Sequence, residues 1–130
     1  MERKTEKLSG IFNGQQMEGE DGRTYPVPQN YASKSKLISG DKLLLSTNDN
    51  GFFYRRTEAE PSKRVFGRCI QEEKILVVEV DSIKYKVLPS VVAFFKLKDG
   101  DDVIAIVPKE KETEWAMVEG VVTKNKTDEA

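Results

Sequence analysis

The sequence predicts a mostly-β fold, a small barrel of two ββαβ halves related by a pseudo-two-fold axis. Three observations carry that expectation. Short apolar and aromatic runs are punctuated by Gly, Asn, Asp and Pro, as in strands joined by tight turns. Two segments entered through prolines break that pattern and read as short helices. The chain also repeats itself at a spacing of 60 residues.

In chain order, the first half offers strands at Lys7 to Phe12, Thr24 to Val27, Lys42 to Leu45 and Phe52 to Arg56. The second half offers Val65 to Cys69, Lys74 to Val80, Lys84 to Leu88, Val103 to Val107 and Trp115 to Val122. The separators Asn13-Gly14, Asp21-Gly22, Asn48-Asp49-Asn50-Gly51 and Asp99-Gly100 tolerate positive φ or turn the chain through their own side chains. A first helix is expected over Gln29 to Lys36, behind Pro28. A second is expected over Ser90 to Lys98, behind Pro89, where Val91, Phe95 and Lys98 fall at helical spacing and Val92 widens the apolar face. A buried strand over Val91 to Leu97 is the alternative, because a short apolar run fits both periods.

The repeat organises these elements. Asp21, Tyr25, Val27, Lys36, Leu37, Gly40 and Asp41 fall on Asp81, Tyr85, Val87, Lys96, Leu97, Gly100 and Asp101, seven identities over positions 21–46. Average residue usage gives about one or two by chance. Each copy places Tyr and Val two apart on one strand face, then a helix candidate, then Gly-Asp, then an apolar strand. Gly40 and Gly100 are expected to supply a backbone conformation closed to other residues, with Asp41 and Asp101 accepting backbone N–H bonds in the turn. Two unrelated Gly-Asp turns are the simpler alternative.

At 130 residues, 38% hydrophobic and 33% charged, the chain can bury one modest core. The expected organisation is a single barrel over 7–122, with halves at about 7–60 and 61–122, a flexible start at 1–6 and a flexible tail at 123–130. Absence of histidine from the sequence excludes Ser-His-Asp and Cys-His units, histidine metal ligands and a histidine pH switch. Cys69 alone cannot make an internal disulfide, and no apolar stretch follows Met1-Glu2-Arg3-Lys4, so a cytoplasmic location is expected. Runs such as Ile75-Leu76-Val77-Val78 are too short to cross a bilayer, and no membrane partner is expected.

The formal charge of −1 hides an asymmetry. Residues 1–98 carry 17 Lys and Arg against 13 acids, whereas residues 99–130 carry 4 against 9. Arg55, Arg56, Lys63, Arg64 and Arg68 lie around Phe52-Phe53-Tyr54 and Phe66, and Lys34 and Lys36 lie near the end of the first helix. These seven cations are the candidate nucleic-acid-binding residues, with phosphates on the charges and bases on the rings. A solvated connection between halves, with the aromatics in the barrel wall, is the competing reading. Arg55, Arg56, Arg64 and Lys34 on one exposed face would favour the first. The acidic end, including Asp99, Asp101, Asp102, Glu110, Glu112 and Glu114, could meet a basic partner.

No catalytic, cofactor or metal-ligating set emerges. Asp81, Asp101 and Asp102 could form an acid/base pair, but acids of this kind more commonly serve turns. Cys69, between Arg68 and Ile70 in a strand, reads as a small buried apolar residue. Trp115 is expected to anchor the last strand.

Two strands, a helix, Gly-Asp and a strand, occurring twice, resemble the cradle-loop barrels that carry the GD box, the double-psi β-barrel above all. Tyr85-Lys86-Val87-Leu88-Pro89, Leu97, Gly100-Asp101 and Val103-Ile104-Ala105-Ile106-Val107 look like the AbrB-type transcription regulators, DNA-binding proteins that pair two single units. Here both units lie in one chain, which implies a monomer or a weak homodimer. The arginine such regulators carry in the helix is missing from both copies, where Lys34 and Lys36 are the only cations of the first helix and Ser90 to Phe95 has none. The string Tyr25 to Leu37, with Trp115-Ala116-Met117-Val118-Glu119, is similar to uncharacterised small proteins of reduced-genome bacteria labelled as ribosomal stalk proteins. The combined expectation is a non-catalytic binding module without cofactor or metal, taking DNA, RNA or a ribonucleoprotein as an AbrB-like regulator or ribosome-associated factor. The alternative is an adaptor barrel that binds a ribosomal or other protein and no nucleic acid.

Overall fold

A computed structural model describes residues 6–122. The first half runs β1 (Glu6–Phe12), β2 (Gln16–Gly19), β3 (Thr24–Pro26), α1 (Gln29–Lys34), β4 (Lys42–Asn48) and β5 (Gly51–Glu58). The second runs β6 (Ser62–Glu72), β7 (Ile75–Val80), β8 (Ile83–Lys86), α2 (Pro89–Phe95), β9 (Asp102–Pro108) and β10 (Met117–Val121). Each half makes one antiparallel five-stranded sheet, ordered β3-β2-β1-β4-β5 and β10-β9-β6-β7-β8. Corresponding strands occupy corresponding places, so the sequence repeat is a repeat of topology.

The repeating unit is larger than the expected ββαβ. Three strands precede each helix and two follow it. The unforeseen β2 is short, and its sequence Gln-Met-Glu-Gly holds one large apolar residue, Met17, too few to show a period. Over 89–95 the helix is the conformation adopted. Pro89 sits in its first turn, where its missing N–H costs nothing, and Val91 is buried while Ala93 and Phe94 are exposed. Of the flexible ends expected at 1–6 and 123–130, residues 1–5 and 123–130 lie outside the described residues, whereas Glu6 belongs to β1.

No closed barrel forms. Each sheet instead curls until its edges touch at one point. In the second half the Lys86 N–H donates to the Glu114 carbonyl at 2.6 Å, and the Lys86 carbonyl accepts from the Ala116 N–H at 3.0 Å. These bonds make a single parallel bridge between Lys86 and Trp115, just ahead of β10. The matching position in the first half is Pro26, which has no N–H to give. There the Tyr54 hydroxyl donates to the Pro26 carbonyl at 2.6 Å, a side-chain bond in place of a backbone one.

The two Gly-Asp turns are built alike. Gly40 and Gly100 take φ of +102° and +91°, a region where a side chain is strained. The Asp41 carboxylate accepts the Ile38 N–H at 2.9 Å, and Asp101 accepts the Lys98 N–H at 3.0 Å. Ahead of each turn the helix ends on a left-handed lysine, Lys36 (φ 53°) or Lys96 (φ 54°). The next N–H, of Leu37 or Leu97, reaches back to the carbonyl of Ala32 or Val92 at 3.0 Å, a Schellman closure. The repeated Lys-Leu and Gly-Asp pairs therefore encode one helix exit and one turn.

One apolar core draws on both halves. Phe12, Met17, Leu37, Leu43 and Leu45 from the first meet Cys69, Val78, Val91, Val103 and Val118 from the second. A smaller cluster joins Ala105, Val107 and Ala116 to Val65 and Tyr85. The helices also touch: the Ser90 N–H donates to Gln29 Oε1 at 2.8 Å, and the Lys36 ammonium lies 5.5 Å from the Phe95 ring centre. Gly14 packs against Trp115 so closely that a Cβ there would stand 2.3 Å from the indole. Trp115 thus secures the entry to β10 against the other half. Among the described residues no helix is long and apolar enough to cross a membrane.

Candidate functional site

Alternation along the strands decides where the seven candidate cations point. Arg55 and Arg56 are neighbours on β5, hence on opposite faces. Arg56 turns inward and meets the buried Asp41 carboxylate at 3.2 Å, which makes it part of the Gly-Asp turn rather than of a surface. Arg64 and Arg68 share one face of β6, on the other sheet, and pair with Glu119 at 2.7 Å and Asp102 at 3.0 Å. Lys63 is exposed at the start of β6, on the opposite face from Arg64. Lys34 and Lys36 lie at the end of α1, beside a groove between the helices lined also by Asn30, Ser90, Phe94 and Phe95. The seven do not form one patch.

A different grouping emerges from strand register. On the solvent face of the first sheet, Lys7, Ser46 and Phe53 stand in one cross-strand row over β1, β4 and β5. The adjacent row is Ser9, Leu44 and Arg55. Lys7, Ser9, Phe53 and Arg55 are exposed, while Leu45 and Leu43 on the other face of β4 are buried. Glu20 adjoins the Ser9 row, its N–H donating to the Ser9 carbonyl at 2.9 Å, and further carboxylates enter in the next row, where Ile11 pairs with Glu18 and with Lys42, and Lys42 in turn with Glu58. Among the described residues neither Lys7 nor Arg55 makes an ion pair. Two rows therefore offer two cations without an ion pair, two hydroxyls and an aromatic ring 51% exposed, with the acid Glu20 at the β2 side of the Ser9 row.

The equivalent face of the second sheet is differently charged. Arg64, Phe66 and Arg68 project from β6, and Phe66 is 74% exposed. Asp102 on the adjacent β9 and Glu119 on β10, one strand further out, pair with the two guanidiniums, and Glu79 lies opposite Arg68 on β7. The hydrogen bond and charge of Glu119 hold the Arg64 guanidinium above its ordinary pKa.

The carboxylates, thiol and phenol weighed for chemistry lie in turns, ion pairs or packed contacts. Cys69 is buried, and loss of hydration pushes its thiol up to about 11, with Asp101, Asp102 and Asp99 adding to the rise. A thiol with that pKa is a poor nucleophile near neutrality. Asp99 accepts the Gln71 N–H at 2.8 Å, Asp101 caps its turn, Asp102 pairs with Arg68, and Asp81 sits at φ 49° in the β7–β8 turn. Burial raises the Tyr54 hydroxyl above its ordinary pKa, while its ring stacks on Tyr31 with centroids 6.1 Å apart.

Of the platform residues, Phe53 and Arg55 were visible as a basic aromatic segment. Lys7, Ser9 and Ser46 were missed. Their alternation within single strands was legible, but the pairing that sets them beside Phe53 was not. No protein-family model matches the chain, and no curated protein matches it.

Proposed function

We propose that the chain is a non-catalytic binding module that holds single-stranded nucleic acid across the solvent face of its first sheet. What supports the reading is the pair of rows Lys7, Ser46, Phe53 and Ser9, Leu44, Arg55, in which an exposed ring stands between two cations that make no ion pair among the described residues. An exposed ring supplies a surface on which any base stacks, and flanking cations take the phosphates. Stacking on one such ring contributes about 1–3 kcal/mol. Lys7 and Arg55 neutralising two phosphates give a log affinity against log salt slope of about −1.4 for a single strand.

The test is fluorescence anisotropy with labelled single-stranded RNA, single-stranded DNA and duplex DNA over a salt series. Affinity is expected to fall with salt, Phe53→Ala to weaken binding at every salt concentration, and Arg55→Ala to flatten the slope by about 0.7. An AbrB-like regulator would prefer the duplex, whereas a ribosome-associated factor would prefer RNA. Absence of binding at low salt, or binding indifferent to salt, refutes the reading.

A second reading, the protein adaptor, draws on the second sheet, where acids neutralise the arginines beside an exposed Phe66. Aromatic and Arg residues are enriched at protein interfaces, and a balanced face does not attract a polyanion. Nuclease-insensitive retention of one protein, with no oligonucleotide binding, is the outcome that favours it.

A further inference from the structure

The groove between the two helices holds chemistry that neither the core nor the first sheet uses. It is a cavity of about 130 Å3, lined by Lys34 and Lys36 at and just beyond the end of α1 and by Val91, Phe94 and Phe95 of α2. Phe94 is 74% exposed, and its ring meets that of Phe95 edge to face with centroids 4.9 Å apart. A ring so exposed contributes little to the core, yet it stands at a concave site beside a second ring. The Lys36 ammonium lies 5.5 Å from the centre of the Phe95 ring. Among the described residues neither lysine makes an ion pair, and no acid lines the groove. The 60-residue repeat gives Lys34 and Phe94 equivalent positions, so contact between the helices brings a cation of one half beside an aromatic of the other.

A site with that lining selects charge and shape together. Two ammonium groups with no carboxylate beside them attract an anion. The carbonyls at the end of α1, which would repel one, are taken up by the helix exit: that of Tyr31 accepts the Ser35 N–H, that of Ala32 the Leu37 N–H and that of Ser33 the Lys36 N–H. The rings of Phe94 and Phe95 offer contact to a planar apolar group. An apolar cavity of about 150 Å3 holds one benzene molecule, so the volume here suits one ring and not two. We propose that the groove between the helices binds a small anion carrying a single aromatic ring, the ring against Phe94 and Phe95 and its carboxylate or phosphate between Lys34 and Lys36. This inference does not rest on nucleic-acid binding, which is proposed for the first sheet.

Amide NMR spectra of the full chain, titrated with phenyl phosphate and with benzoate, test it and verify that each variant is folded. Benzyl alcohol supplies the ring without the charge, and inorganic phosphate the charge without the ring. At least one ring anion is expected to shift the amides of Ser33, Lys34, Ser90 and Phe94, with a dissociation constant between about 0.1 and 5 mM for a ligand of this size. The tighter of the two identifies the anionic group. Benzyl alcohol and inorganic phosphate should each bind at least about fivefold more weakly. Phe94→Ala and Lys34→Ala should each weaken the ring anion at least about threefold, whereas Lys63→Ala, which removes a charge from β6, leaves it unchanged. No saturable shift with either ring anion, or shifts centred on Phe53 and Arg55 instead of the groove, overturns the proposal. So does equal affinity for benzyl alcohol or inorganic phosphate, or a folded Phe94→Ala that binds as the wild type does.

Discussion

Asp41→Ala separates the two copies of the Gly-Asp turn energetically. The Asp41 carboxylate is fully buried, accepting the Ile38 N–H at 2.9 Å and the Glu60 N–H at 2.7 Å, with the Arg56 guanidinium at 3.2 Å. Truncation leaves two enclosed backbone donors without an acceptor, each costing about 1–3 kcal/mol. Arg56, whose side chain is 35% exposed, can turn to water, so its lost pair adds less than about 1 kcal/mol. The total is about 2–7 kcal/mol, a large share of the roughly 5–15 kcal/mol that holds a domain folded. Asp101 accepts the single Lys98 N–H at 3.0 Å in an exposed turn, so Asp101→Ala should cost only about 0.5–1.5 kcal/mol. Urea unfolding followed by Trp115 fluorescence measures both, with an unchanged denaturant slope as the sign that the unfolded state is unaffected. Equal losses in the two variants, or a larger one at Asp101, would show that burial of the first turn does not carry the assigned energy.

Three further outcomes are expected. Lys96→Gly should stabilise the fold by about 0.5–1 kcal/mol in thermal unfolding, because its left-handed φ of 54° is free for glycine; Lys36→Gly should gain less, since it also removes the ammonium from the Phe95 ring. Gly14→Ala should destabilise by about 2–4 kcal/mol and shift the Trp115 emission, because φ is +106° and the new Cβ meets the indole. The Cys69 thiol keeps its proton to about 11 when folded, against 9.0 for its ordinary value, so between those pH values the unfolded chain binds fewer protons and stability falls as pH rises. Cys69→Ala should lack that part of the loss in urea titrations across the window, and an identical pH profile in both proteins would contradict the buried thiol.

The legible features are those written in local pattern. Seven identities at one spacing marked the turns at Gly40-Asp41 and Gly100-Asp101, because glycine at positive φ and a carboxylate accepting the turn N–H meet backbone demands that few other residues satisfy; the helix exits at Lys36 and Lys96 share those turns, although the second helix was expected to run to Lys98. Hairpin length was not legible. Phe12 pairs with Met17 across the first hairpin, but Cys69 pairs with Val78 across the longer one that corresponds to it, and the 60-residue register is lost there. The strand β2 was hidden for a related reason, since one buried methionine shows no period. Edge contacts were equally opaque, with Pro26 excluding a backbone bridge that Lys86 makes, so that the Tyr54 hydroxyl takes over.

The candidate surface divides along the same line. By itself the sequence determined that Arg55 and Arg56 cannot share a face, that Lys7 and Ser9 do, and that no histidine chemistry is available, because strand alternation and composition are properties of the chain alone. Only tertiary structure decided that Arg56 is held by a buried carboxylate, that Arg64 and Arg68 are neutralised by Glu119 and Asp102, and that Lys7 and Phe53 stand in one row. Those outcomes depend on which strands pair and in what register, and pairing is set by burying both apolar faces in one core. A cation's availability is therefore a consequence of neighbours brought from as far as 55 positions away.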